Sequence, residues 1–240
     1  MTLTVHHLGI SQSERIVFLC EELGLEYNLV NYTRDPLTAP ESLKSLPGNS
    51  TGKAPFIVDD AVNPPLALSE SAAICQYIIE TYGSGRLTTP VGQPGFVDYI
   101  YWFNYCSGSL QPALNTAMLV RMADLPPDDF LPKLSANSVQ DALSHVNDRL
   151  SSHKWLAGED FTAADIMMMF SLSTGRYWSG TSLKGYDHIL RWLRDVAARP
   201  AYVRAMEKGD PEMQPLLSAD GPEKTLIELG GVGNGIWKKK

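Results

Sequence analysis

The sequence predicts an α/β domain followed by an all-α helical bundle. Three observations predict it. Up to residue 83, short alternating apolar runs trade places with runs at helical spacing, in the order βαβ and then ββα. From 84 to 94 the chain is punctuated by Gly, Pro and Thr, which reads as a linker. After 95 the apolar residues recur at helical spacing and no strand pattern stands out. The expected organisation is therefore an N-terminal domain at 1–83, a linker at 84–94, a helical domain at 95–217 and an irregular tail at 218–240.

Each element has its own warrant. Residues 2–8 alternate with Leu3 and Val5 on one face, a strand, and 9–13 form a turn. Ile16, Leu19, Cys20 and Leu23 then follow a helical period that Gly24 stops. A second strand is read at 27–32, and a polar, Pro-containing connection with one short helix at 33–50. Residues 56–58 and 66–68 are short strands around a turn, and 71–82 is a helix ended by Gly83. In the second half, Val139, Leu143, Val146 and Leu150 make one stripe, and Ile189, Trp192, Leu193 and Val196 another. Thr162 and Asp165 have the spacing of a capping box, with Met167, Met168, Met169 and Phe170 continuing into core. Pro200 starts a further short helix. The Gly-rich end, with Trp237 between glycines and lysines, reads as an irregular, mobile tail.

Composition narrows the function classes. The formal charge is −7 and no basic stripe is visible, which argues against nucleic acid as a partner. Lys238, Lys239 and Lys240 read as a solvated end. Three cysteines, Cys20, Cys75 and Cys106, make no framework and no CxxC pair, as suits a reducing compartment. Residues 1–5 lack the basic and apolar regions of a signal peptide. The longest apolar stretch, near Ile166, is too short to span a bilayer. A soluble, cytoplasmic protein without a metal is the expectation.

The most informative segments are Gly52-Lys53-Ala54-Pro55-Phe56-Ile57 and Leu68-Ser69-Glu70-Ser71-Ala72-Ala73-Ile74. The backbone beside an X-Pro step offers strand-like pairing to an extended peptide. A helix opening at Glu70-Ser71 offers N–H groups to a carboxylate, and the Glu70 side chain suits an ammonium. A small peptide with an extended amide, an α-amino group and carboxylates fits both.

Together with Val5-His6-His7-Leu8, Ser11-Gln12-Ser13-Glu14-Arg15, Glu21-Glu22-Leu23-Gly24 and Phe161-Thr162-Ala163-Ala164-Asp165-Ile166, these segments resemble the glutathione transferase family over about nine tenths of the chain. The likeness is to its serine-type, theta-like branch. It implies a thioredoxin-like N-terminal domain, glutathione as co-substrate, a small apolar electrophile as second substrate, and a homodimer. It implies Ser11 as the hydroxyl that holds the glutathione thiolate, with Lys53, Ala54, Pro55, Glu70 and Ser71 binding glutathione. By the same likeness the Pro55 peptide bond is cis. The segment 47–51 departs from the family pattern, which leaves Lys44 and Lys53 as alternatives at the glycyl end.

Other readings stand beside these. Ser11 or Ser13 simply caps the first helix, and Ser13 competes with Ser11 as donor. Arg15 is expected in a structural role. His7 is read as a satisfied strand-end histidine in preference to a proton relay. The cysteines are expected to be inert core residues. The function expected is transfer of glutathione to an electrophile in detoxification or secondary metabolism. The alternatives are glutathione-dependent peroxidase, reductase or isomerase activity, or non-catalytic ligand binding. The tail is expected to cover the electrophile pocket or a subunit interface.

Overall fold

The computed structural model describes residues 2–239; Met1 and Lys240, the outer residues of the two terminal segments read above, lie outside the described residues. By contact the chain divides into two compact units. The first comprises 1–88, 196–215 and 226–240; the second comprises 89–195 and 216–225.

In the first unit, β1 (Leu3–Leu8), α1 (Glu14–Leu23), β2 (Asn28–Tyr32), α2 (Glu41–Lys44), β3 (Phe56–Asp59), β4 (Leu66–Ser69) and α3 (Ser71–Tyr82) follow in order. The mixed sheet has strand order β2-β1-β3-β4. β1 runs parallel to β2, Val5 opposite Leu29, and antiparallel to β3, Val5 opposite Ile57. β3 and β4 are antiparallel with Phe56 opposite Ser69. Val5, Ile16, Leu19, Ile57, Ile74 and Ile78 are fully buried and form this unit's core. This is the thioredoxin-like arrangement. Gly24 closes α1 at φ +63°, a left-handed cap that costs a glycine little, with its N–H on the Glu21 carbonyl.

The second unit is helical: α4 (Phe96–Tyr105), a π turn (Cys106–Leu110), α5 (Gln111–Met122), α6 (Phe130–Ser152), α7 (Ala163–Leu172), α8 (Arg176–Ser179) and most of α9 (Asp187–Ala197). Every residue of α7 is buried. Its capping box is formed: Thr162 Oγ1 accepts the Ala164 N–H and Asp165 accepts the Thr162 N–H. Asp165 also takes the N–H of Leu156 at 3.0 Å and the Trp192 indole N–H at 2.8 Å. Full burial pushes its carboxyl up to about 6, against the pull of these donors.

The expected contiguous partition at 83, 94 and 217 differs from the compact units. Helix α10 (Pro200–Gly209) belongs to the first unit, because its apolar residues Ala201, Tyr202, Ala205 and Met206 are buried there. Tyr202 meets Phe18 of α1 edge-on at 5.0 Å. Arg199 pairs with Glu22, and Arg204 and Lys208 both pair with Glu21.

The end of the chain is irregular apart from a 3₁₀ turn (Val232–Asn234), yet it is tied down. The Gln214 N–H donates to the Trp237 carbonyl, the Lys239 N–H to Glu212, and the Val232 N–H to Pro36. Leu226 is fully buried. These bonds replace the expected mobile tail by a strap on the first unit, and Lys238 pairs with Glu212 at 2.8 Å. Among the described residues no helix is long and apolar enough to cross a membrane, and no group of His, Cys, Asp and Glu is placed to hold a metal.

Candidate functional site

The sheet register sets the site. Phe56 lies opposite both His6 of β1 and Ser69 of β4. Carrying the antiparallel register one residue further puts Pro55 beside His7 on one side and Glu70 on the other. The β1–α1 turn, the loop before β3 and the start of α3 therefore converge on one end of the sheet.

The loop before β3 is shaped by Asn49 and Gly48. Asn49 is buried and its Nδ2 donates to the carbonyls of Leu43 and Lys53 at 3.1 and 3.2 Å. Gly48 sits at φ +83°, and a Cβ there would lie 2.6 Å from that of Ala67. The Ala54–Pro55 peptide bond is cis. Pro55 is buried, Ala54 half-buried and Lys53 exposed. Lys44 is exposed as well, with its side chain beside Gly52. Among the described residues the backbone of Ala54 makes no hydrogen bond, so its N–H and C=O suit pairing with a peptide.

Glu70 is the N-cap of α3 at φ +78°, ψ +119°, a conformation that L side chains rarely adopt. The backbone turns there so that α3 starts against the first helix. Ser71 is buried, and the two helix starts are joined through Arg15, whose Nη1 donates to Gln12 Oε1 at 2.9 Å and Ser71 Oγ at 3.4 Å. Arg15 is thus a bridge between the two starts, and Gln12 is a member of the site that sequence reasoning left without a role.

Ser11 and Ser13 are distinguished by their surroundings. Ser13 is fully buried. Its Oγ lies 2.9 Å from His7 Nδ1, accepts the Leu8 N–H at 3.0 Å and lies 3.2 Å from the Leu8 carbonyl. It makes no side-chain cap to α1. Ser11 is 5% exposed, its Oγ accepting the Ser13 N–H at 3.2 Å and lying 2.7 Å from Ser13 Oγ. Of the two, Ser11 is the hydroxyl at the outer end. His7 Nε2 meets Asp210 Oδ2 at 2.9 Å, a partner from the end of α10 that lies 203 residues away in sequence and carries no local signal. A cavity of about 280 Å³ is lined by Ile10, Tyr32, Arg34, Asp210, Val232 and Trp237, among others. Cys20, Cys75 and Cys106 are all buried; burial drives the Cys20 thiol far upward, and Cys106 Sγ donates to the Met167 carbonyl.

Comparison with known proteins shows the family. Residues 11–81 match the family model of the glutathione S-transferase N-terminal domain, and residues 122–200 that of the C-terminal domain. Glutathione S-transferase 3 of Schizosaccharomyces pombe is 30% identical over 228 residues, covering 90% of this chain and 91% of that protein. Glutathione S-transferase 1 of Saccharomyces cerevisiae is 26% identical over 85% of this chain and 94% of its own. Among solved structures, a glutathione S-transferase from Actinobacillus pleuropneumoniae superposes with a TM-score of 0.76 at 33% identity, over 87% of this chain and 93% of that one. The chain belongs to the glutathione S-transferase family.

Proposed function

We propose that this glutathione transferase is of the serine type: Ser11 donates a hydrogen bond to the glutathione thiolate, which attacks a small apolar electrophile. The observation that carries the reading is the placement of Ser11 at the head of α1, beside a cis-Pro loop and the start of α3, with Ser13 taken up in the interior. Glutathione lies with its cysteinyl amide paired to the Ala54 backbone beside Pro55. Its γ-glutamyl end is held at Glu70 and Ser71, and its glycyl carboxylate is met by Lys53. No cysteine occupies the Ser11 position, and all three are buried elsewhere.

The energetic demand is modest. A free thiol ionises near pH 8.5, and lowering that by about two units needs roughly 2.7 kcal/mol of preference for the thiolate. A charge-assisted hydrogen bond of about 1.5–3 kcal/mol, with a helix N-terminus adding to it, is of that size. We also propose a homodimer, supported by large apolar side chains left exposed on the helical unit, among them Val97, Leu119, Met122 and Phe130.

The test is a pH titration of the thiolate absorbance of bound glutathione. The titration midpoint is expected well below that of free glutathione, and Ser11→Ala is expected to return it towards the free value with a fall of about 10–100-fold in kcat/KM for a carbon electrophile, the loss of one such hydrogen bond. Binding with no depression of the midpoint would mean the fold serves as a ligand-binding protein.

A further inference from the structure

Four buried side chains form an unbroken line: Asp210 Oδ2 to His7 Nε2 at 2.9 Å, His7 Nδ1 to Ser13 Oγ at 2.9 Å, and Ser13 Oγ to Ser11 Oγ at 2.7 Å. The donor and acceptor inventory dictates the direction of each bond. An ionised Asp210 only accepts, so Nε2 carries the proton, and in a neutral imidazole Nδ1 must accept. Ser13 then donates its single proton to Nδ1. The Leu8 carbonyl, 3.2 Å from Ser13 Oγ, is the competing acceptor, but serving it would leave a buried Nδ1 without a donor. With its proton spent and the Leu8 N–H on one lone pair, Ser13 accepts from Ser11. At rest, therefore, the Ser11 proton points inward, and Ser11 presents only a lone pair to a thiol. In that state it cannot donate to a thiolate.

We propose that Asp210, His7 and Ser13 form a proton relay that takes up the proton of the glutathione thiol and, in the same step, turns the Ser11 hydroxyl towards the thiolate. The thiol S–H passes its proton to Ser11 Oγ, Ser11 passes its own to Ser13 Oγ, and Ser13 passes its own to His7 Nδ1. One S–H bond breaks and one N–H bond forms. Both serines stay neutral, the imidazolium rests against the Asp210 carboxylate, and no electrons change hands. His7 Nε2 still donates to Asp210, and every hydrogen bond from His7 outward has reversed, so that His7 donates to Ser13, Ser13 to Ser11, and Ser11 to sulfur. The inference rests on the reading that Ser11 faces the thiol.

Two further features fit this role. Asp210 is fixed by the Ile10 N–H on its other oxygen at 3.1 Å, in a turn that Arg34 holds by donating to the Gly9 and Ile10 carbonyls. Gly209 lets α10 end against the ring, since a Cβ there would lie 3.1 Å from His7 Nε2. Asp210 also lines the cavity that Ile10, Arg34 and Trp237 share. Ser13, His7 and Asp210 are positioning residues; Ser11 alone touches the sulfur.

The experiment counts protons. Glutathione binding is measured calorimetrically near pH 6.5 in buffers of different ionisation enthalpy, and thiolate absorbance is read in the same solutions. Thiolate formation with much less than one proton released per thiolate is expected; one released per thiolate would overturn the relay while leaving the thiolate site intact. Absence of any thiolate would remove the parent reading, and the relay with it. In Asp210→Asn, the bound thiolate near pH 6.5 is expected to fall about 10-fold or more, with KM for glutathione within about threefold and activity recovering as pH rises. His7→Gln is expected to behave likewise and serves if the first variant does not fold. Unchanged thiolate in a folded variant, or a loss that no pH restores, would sink the relay.

Discussion

In the proposed function Glu70 serves the glutathione site at a cost in backbone strain. Its φ of +78° belongs to the region that favours glycine, and holding a side chain there costs about 1–3 kcal/mol. The surroundings impose it, since β4 ends at Ser69 and α3 begins at Ser71 with its hydroxyl against Arg15 and Gln12. Replacing Glu70 by Gly relieves the strain but returns flexibility to the unfolded chain, so the two effects nearly offset. Glu70→Gly is therefore expected to leave the melting temperature within a few degrees of the parent while raising KM for glutathione about 10-fold or more. A large drop in melting temperature with unchanged KM would show that Glu70 serves the fold alone.

At the scale of elements, the join of α10 to α1 is electrostatic as well as apolar. Glu21 is almost fully buried and receives Lys208 at 2.5 Å, the Tyr27 hydroxyl at 2.8 Å and Arg204 at 3.1 Å. Burial by itself would raise its carboxyl, but these donors outweigh it and hold the group below the ordinary glutamate range. A depressed acid contributes stability that is fully present above its unfolded value, about 4.3, and is lost as pH falls through the lower folded value. Acid unfolding followed by circular dichroism should thus steepen below about pH 4, and Glu21→Gln should be less stable at neutral pH with a shallower acid limb. Parallel acid limbs in the two proteins would refute this. Because α10 also carries Asp210 at its end, the same join positions the far end of the His7 chain.

For the whole molecule, the unusual feature is a C-terminal strap that returns to the N-terminal fold. Residues 226–240 belong to the first unit, whereas 216–225 belong to the second, where Arg176 donates to the carbonyls of Leu216, Ser218 and Ala219. Cutting the chain after Thr225 removes the strap alone. It uncovers Met213, which is fully buried, and takes away Trp237 from the cavity wall. The truncated protein is expected to melt at least about 3 °C lower, the shift of roughly 1 kcal/mol in a chain of this size. An unchanged melting temperature would mean the strap adds nothing to the fold. A changed range of electrophiles at unchanged glutathione KM would tie it to the second substrate.

Much of this protein was legible in its residues because the signals are local. Period-two and helical patterns, Gly24, Gly83 and the Thr162–Asp165 spacing mark elements through short-range sterics and hydrogen bonding, and the segments around Ser11, Pro55 and Glu70 carry the family's own marks. The His7 environment was legible only in part: His7 is the satisfied strand-end histidine expected, but no periodicity connects its partner Asp210 to β1. The same holds for the Gln12–Arg15–Ser71 bridge, for Asn49 under the cis-Pro loop, and for α10 and the strap, whose polar and Gly-rich residues read as the end of the helical domain and a free tail. Sequence alone determined the elements, their order and the family, since those depend on neighbours within a few positions. Only the tertiary structure decided what the two serines bond to, which of them is fully enclosed and where the last residues lie, because burial and hydrogen bonding between distant segments exist only once the chain has closed on itself.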